Sequence, residues 1–141
     1  MVRALSSQDW YKSKGAHDLK ATHSGDGTVE VRYMESQIYI AVTALAAGET
    51  ITINTPFDFQ ILDYSLLAVV GVTDRVIALK NGSDTIESLT IATTSTMYKA
   101  DSLAAYLEFN KGDNDLILAA SGGSGDAEFF VTLPVIDLSK L

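Results

Sequence analysis

Val76-Ile77-Ala78-Leu79-Lys80-Asn81-Gly82-Ser83-Asp84-Thr85-Ile86 is the stretch from which the fold reads. A strand over Arg75–Lys80 is closed by Asn81-Gly82, a pair suited to the positive φ angles of a tight hairpin. Asp84–Ile91 then returns beside it, with Ile86, Glu87, Leu89 and Ile91 in a less regular pattern.

The same texture extends outward in both directions. Upstream, Thr28-Val29-Glu30-Val31-Arg32-Tyr33 and Thr50-Ile51-Thr52-Ile53-Asn54 alternate polar and apolar, the period of a half-buried strand. Between them Gln37–Leu45 (QIYIAVTAL) is rich in β-branched and aromatic residues. Ala46-Ala47-Gly48-Glu49 makes a turn, Pro56 breaks the run, and Phe57 and Phe59 lead into the apolar stretch Gln60–Val70. Downstream, Leu103–Phe109 puts Leu103, Ala105, Leu107 and Phe109 on one face. Lys111-Gly112-Asp113-Asn114 turns, and Asp115–Ala120 returns. Ser121-Gly122-Gly123-Ser124-Gly125-Asp126 reads as a flexible turn, and Ala127–Ile136 as the last strand, with Pro134 implying a sheet edge or a strand end.

These segments predict an all-β chain, a jelly-roll or β-sandwich of eight to nine antiparallel strands. The connection Ala92–Ser102 is too long for a hairpin and predicts a crossover between sheets. Residues 1–26 lack either periodicity and read as an extended N-terminal arm, leaving 27–141 as the sandwich domain.

The composition narrows the function. The 141 residues carry 10 Lys+Arg against 18 Asp+Glu, a formal charge of −8, with no cysteine. That excludes thiol nucleophiles, Cys-ligated zinc and disulfides, and argues against nucleic acid as a partner. No apolar run is long enough for a membrane helix, and the first residues, MVRALSSQDWYKSKG, lack the apolar segment of a secretory signal.

Catalytic candidates are few. His17 and His23 lie in the arm and read as solvated, too loosely held for a Ser-His-Asp triad. Asp113 and Asp115 are oxygen donors of the kind a calcium loop uses, but the EF-hand pattern is absent and the stretch also reads as an ordinary turn. Glu30, Glu87, Glu108 and Glu128 sit on strands where alternation points them to solvent, so no glycosidase pair stands out. Ser121–Gly125 lacks the Lys and following helix of a phosphate loop. Ser95–Tyr98 fails the SxxK spacing, and no GxSxG occurs. The reading is a non-enzyme with no cofactor and no metal.

The charge is divided unevenly. Residues 1–25 hold Arg3, Lys12, Lys14 and Lys20 against Asp9 and Asp18, a net +2, while residues 26–141 hold six bases against 16 acids, a net −10. Trp10 and Tyr11 stand among the arm's cations as candidate docking anchors, or as a cap folded back on the core.

Three pieces in order carry a family resemblance. They are Ala47–Asn54 followed by Phe59–Tyr64; Val76–Ile86; and Asn110–Leu118 followed by the glycine-rich turn and last strand. Together they resemble the jelly-roll decoration (cement) proteins of tailed-bacteriophage capsids, over about residues 45–136. The resemblance implies a structural virion protein on the outer capsid surface. It implies a homotrimer that binds the major capsid protein and clamps adjacent capsomers, without catalysis, nucleic acid or membrane. Arg3, Trp10, Tyr11, Lys12, Lys14 and Lys20 would be partner-binding residues by their place in the arm, and deletion of residues 1–25 is expected to abolish binding and spare the β fold. The alternatives are a carbohydrate- or receptor-binding sandwich using Tyr33, Tyr39, Tyr64, Tyr98 and Tyr106 as an aromatic platform, and a hydrolase relying on Asp113 and Asp115.

Overall fold

A computed structural model describes residues 19–103 and 105–140. Its strands run β1 (Ala21–His23), β2 (Val29–Met34), β3 (Gln37–Leu45), β4 (Thr50–Ile53), β5 (Phe59–Ile61), β6 (Ser65–Val70), β7 (Val76–Asn81), β8 (Asp84–Thr90), β9 (Thr96–Lys99), β10 (Glu108–Phe109), β11 (Leu116–Ser121) and β12 (Ala127–Asp137). A short 3-10 turn, Leu138–Lys140, follows. Among the described residues twelve strands stand where eight or nine were expected. The run Gln60–Val70 divides into β5 and β6, the crossover contains β9, and the arm contributes β1.

All pairings are antiparallel, and the strands form a β-sandwich. One sheet has the order β1-β4-β11-β7-β8. The other runs β10-β5-β12-β3-β2, with β6 joined to β12 and β9 to β6. The inner faces meet in one core. Ile51, Ile53, Ile77, Leu79, Leu116 and Leu118 come from the first sheet, and Ile38, Ile40, Val42, Leu66, Phe129, Val131 and Leu133 from the second. Strand alternation delivers these residues inward because successive side chains point to opposite faces. At one end four rings line up. Tyr33 meets Phe57 edge-on, Phe57 meets Phe59 at 5.2 Å, and Phe59 stacks on Phe109 at 4.8 Å.

Several local readings are corrected by this architecture. Asn81 and Asp84 form the last rung of the β7–β8 hairpin, so the loop is Gly82-Ser83 and only Gly82 has positive φ (60°). That is the II′ pattern. Asn81 is therefore a strand residue with a buried side chain, not a turn residue. The irregularity of Asp84–Ile91 is a β-bulge. Leu79 pairs Glu87 but Lys80 pairs Thr85, leaving Ile86 as the extra residue. The bulge puts Glu87 opposite core-facing Leu79, half-buried, and not on the solvent face that simple alternation assigns it.

Pro134 lies within β12, at the centre of its sheet, and not at an edge. Its carbonyl accepts from Leu62 N at 2.8 Å, on the side where β6 gives way to β5 as the partner of β12. A strand residue's N–H and C=O point the same way, so the missing donor falls in this break in the ladder and removes no rung. Leu103–Phe109 is not the expected strand. Only Glu108–Phe109 pairs, and Tyr106 takes a positive φ of 63°.

The arm joins the sandwich earlier than residue 27. Leu19 is buried in the core, and Ala21–His23 pair with Ile53–Ile51 of β4. Nor is the glycine-rich turn after β11 held only by its own ends. Arg75, wholly buried, donates to Gly122 O (2.7 Å), Gly125 O (2.8 Å) and Leu45 O (2.6 Å).

Candidate functional site

The outer face of the larger sheet presents an exposed apolar surface. Register places Glu30, Ala41, Phe130, Leu67 and Met97 in one row across β2, β3, β12, β6 and β9. The adjacent row is Arg32, Tyr39, Thr132, Ser65 and Lys99. Phe130 is 47% exposed and Met97 62%, with Leu67 and Tyr39 also exposed. These side chains stand outward because their strand neighbours Ile40, Val131 and Leu66 fill the core.

A shallow cleft of about 190 Å³ opens between Tyr39 and Phe130, bounded by Glu30, Arg32 and Thr132. Arg32 Nη2 bonds Glu30 Oε1 at 2.5 Å along its rim. Aromatic residues, Met and Arg are the residue types enriched where proteins meet proteins, and here they stand on a chain of net charge −8.

Two further recesses are polar. At one end of the sandwich a cleft of about 370 Å³ is lined by Asn81, Asp84, Tyr106, Glu108 and Asn114, with Ala105 and Leu107. Asn81 Nδ2 donates to the carbonyls of Tyr106 (2.9 Å) and Glu108 (2.8 Å), which holds the 106–108 segment against β7. Another recess gathers Asp26, Glu49 and Asp126 around Gly27 and Thr43. His23 stands beside it, its side chain 6% exposed. Its Nδ1 lies 2.6 Å from Gly27 O and its Nε2 3.3 Å from Glu49 Oε1. His23 is therefore not solvated. β1 carries it into the sandwich rim, which its position in an aperiodic leader did not reveal.

The other sequence candidates are scattered. Arg3, Trp10, Tyr11, Lys12, Lys14 and His17 lie outside the described residues. Lys20 is exposed, with its backbone N–H on Asn54 Oδ1 at 2.7 Å. Asp113 and Asp115 are exposed on the turn before β11. Among the described residues no three acidic, histidine or cysteine side chains come together as a metal-binding group. The tyrosines form no common platform. Tyr64 is buried, with its hydroxyl on Ile77 O at 3.1 Å, Tyr39 is on the large sheet's outer face, and Tyr106 is at the sandwich end. Burial, and then the nearby Glu87 charge, hold the Tyr64 phenol far above its usual range.

No family model matches the chain, and no curated protein does. Among solved structures it is similar to the CBM36-1 domain of a multidomain xylanase from the hindgut metagenome of Trinervitermes trinervoides. The TM-score is 0.43 at 11% identity, covering 82% of this chain and 96% of that one. It is also similar to CBM86, a low-affinity xylan-binding module from Roseburia intestinalis, with a TM-score of 0.41 at 9% identity, covering 84% and 96%.

Proposed function

We propose that this chain is a non-catalytic structural protein that docks the outer face of its larger sheet onto another protein, and that the partner is the outer surface of a tailed-phage capsid. The observation that supports docking is the row Phe130–Leu67–Met97 with Tyr39 beside it, apolar and exposed on a chain of net charge −8. The capsid as partner rests on the resemblance of three ordered strand–turn–strand pieces to decoration proteins. In that reading the basic arm supplies a second contact, and the protein acts as a homotrimer whose many copies add weak contacts on one shell.

The test is co-sedimentation of the full chain with expanded and with immature capsid shells, beside light scattering of the free protein. Binding to expanded shells only, by a species of three times 15.1 kDa, is expected. Phe130→Asp with Met97→Asp should remove that binding and leave the circular dichroism spectrum unchanged. Equal binding by this double variant would sink the sheet face as the docking surface.

A second reading, a carbohydrate-binding module, is favoured by one observation. Tyr39 and Phe130 share their cleft with the hydrogen-bonding pair Arg32 and Glu30, and an aromatic ring with polar groups beside it is what a sugar ring needs. A glycan array without hits at high protein concentration would remove it.

A further inference from the structure

We infer that β2 is a self-pairing edge: two copies of this chain join their larger sheets by laying β2 antiparallel to β2 of the second copy, with Val31 on the two-fold axis. Among the described residues β2 pairs only with β3, so one side of it ends the larger sheet. The register says which groups face that side. Thr43 N–H donates to Thr28 O at 3.1 Å, and the pairs from Val29–Val42 to Met34–Gln37 continue the same register. Residues of an antiparallel pair alternate between bonding their neighbour and turning away from it. Val29, Val31 and Tyr33 therefore turn their backbone groups away from β3. The other sheet edges are short or interrupted. β1 has three residues, β10 two and β9 four, and β8 carries the bulge at Ile86. β2 runs for six residues without a register shift, a proline or a glycine. A straight edge strand is a template for another strand unless something covers it.

The charges name the occupant. Outward-turned residues must meet outward-turned residues for the backbones to bond, which leaves few two-fold registers. An axis through Glu30 sets Glu30 against Glu30, and one through Arg32 sets Arg32 against Arg32. An axis through Val31 sets each Glu30 opposite Arg32 of the second copy. Opposite charges facing each other across strands stabilise a sheet and like charges destabilise it, so the Val31 register wins. Its central rung is Val31 N–H on Val31 O of the second copy, given and returned. The Glu30–Arg32 rungs on either side are non-hydrogen-bonded ones, where side chains come closest. Within one chain Arg32 Nε already donates to Glu30 Oε1 at 3.0 Å, so four charges alternate around the axis. On the inner face Val29 meets Tyr33 of the second copy, extending the cover over two half-buried residues that pack on the core. A second copy supplies this complement by symmetry alone. The pairing leaves Tyr39 and Phe130 uncovered, so the inference goes beyond the docking reading above. One strand edge falls below the roughly 1,200 Å² of a stable interface, which makes the contact a weak one. Each copy carries a formal charge of −8. Association therefore belongs at physiological ionic strength, where charges more than about 8 Å apart are screened and the Glu30–Arg32 contacts are not.

The test is sedimentation equilibrium of the full chain from about 10 μM to about 1 mM, the range of weak contacts, with amide exchange read at Val31. The mass is expected to rise toward twice that of the dilute species, and protection of the Val31 amide to rise with it. Glu30→Arg and Arg32→Glu should each weaken the association about tenfold. Mixed in equal amounts, these two variants should associate with each other, because each supplies the charges the other lacks. Both substitutions in one chain should restore self-association. Val31→Pro removes the central donor without touching the pairing to β3, and should abolish association while keeping the circular dichroism spectrum. A mass that stays constant over the range overturns the proposal, as does association that survives Val31→Pro, or single variants that fail to complement each other. Equal protection of the Val31 amide at both ends of the range assigns the edge to a segment of the same chain and also overturns it. No capsid shell enters the test, so its failure leaves the docking reading standing.

Discussion

Arg75 buries its guanidinium and satisfies it with three backbone carbonyls, one at the end of β3 and two in the turn after β11. Hydrogen bonds to a charged group are each worth about 1.5–3 kcal/mol. Arg75→Ala should therefore lower stability by at least about 3 kcal/mol. Arg75→Lys should recover only part of it, because a point ammonium does not reproduce the planar fork. Urea midpoints of the three proteins check this. Tyr64 governs the alkaline side. In the folded chain its phenol keeps its proton above the ordinary value of 10.0, while the unfolded chain releases it there. The folded form thus binds more protons above pH 10, so this contribution is complete below pH 10 and falls as pH rises beyond it. Tyr64→Phe should lose about 1 kcal/mol at neutral pH with its hydrogen bond to Ile77 O, yet show a shallower decline above pH 10 in denaturant titrations.

Among the elements, the two hairpins flanking Gln37 and Gly82 differ in how openly their sequences announce them. β2 and β3 are joined by Glu35-Ser36, both in left-handed conformation at φ 53° and 65°. That is the I′ pattern without the Asn-Gly that favours it. A left-handed residue with a side chain costs about 1–2 kcal/mol, and here the registered pairs from Val29–Val42 to Met34–Gln37 impose it. Glu35→Asn with Ser36→Gly should then raise stability by about 1 kcal/mol and move the thermal midpoint upward. The Val135 N–H bond to the Ser36 carbonyl is retained, since it uses backbone alone. The opposite pressure operates after β11. A β-carbon on Gly122 would stand 2.2 Å from Asp74 O, and one on Gly123 2.3 Å from Thr73 O. These glycines permit the close approach that Arg75 fastens. At the sheet edge, the bulge at Ile86 and the core-side charge of Glu87 make β8 a poor template for another strand.

The whole molecule sets where the arm begins. Leu19 lies in the core and β1 completes the smaller sheet, so a truncation that keeps both must stop at residue 18. Removing residues 1–18 retains both. Removing residues 1–25 takes Leu19 and β1 as well and should cost about 2–3 kcal/mol from the buried leucine alone. Calorimetry on both truncations separates them. Only the shorter one tests whether Arg3, Trp10, Tyr11, Lys12 and Lys14 bind a partner, because the longer one confounds binding with unfolding. The charge division, +2 before residue 26 and −10 after it, places four cations ahead of an acidic sandwich, though Lys20 already belongs to its rim through Asn54.

The sequence by itself determined the fold class. Period-2 alternation in Thr50–Asn54, Val76–Lys80 and Ala127–Ile136 assigns inner and outer faces before any contact is known, because one residue's direction dictates its neighbour's. It also excluded cysteine chemistry. Only the tertiary structure decided what depends on partners distant in the chain. Pro134 at the centre of a sheet requires knowing that β12 changes partners there. Glu87 on the core side requires the bulge at Ile86. Arg75 and His23 acquire their burial from loops 26 to 50 residues away. The candidate surfaces belong to this second kind. Phe130, Leu67 and Met97 lie far apart in sequence and become one row only through strand register, and Asn81 meets Glu108 only because the two sheets converge at that end. Local periodicity sets which way a side chain points, and the pairing of strands sets what it meets.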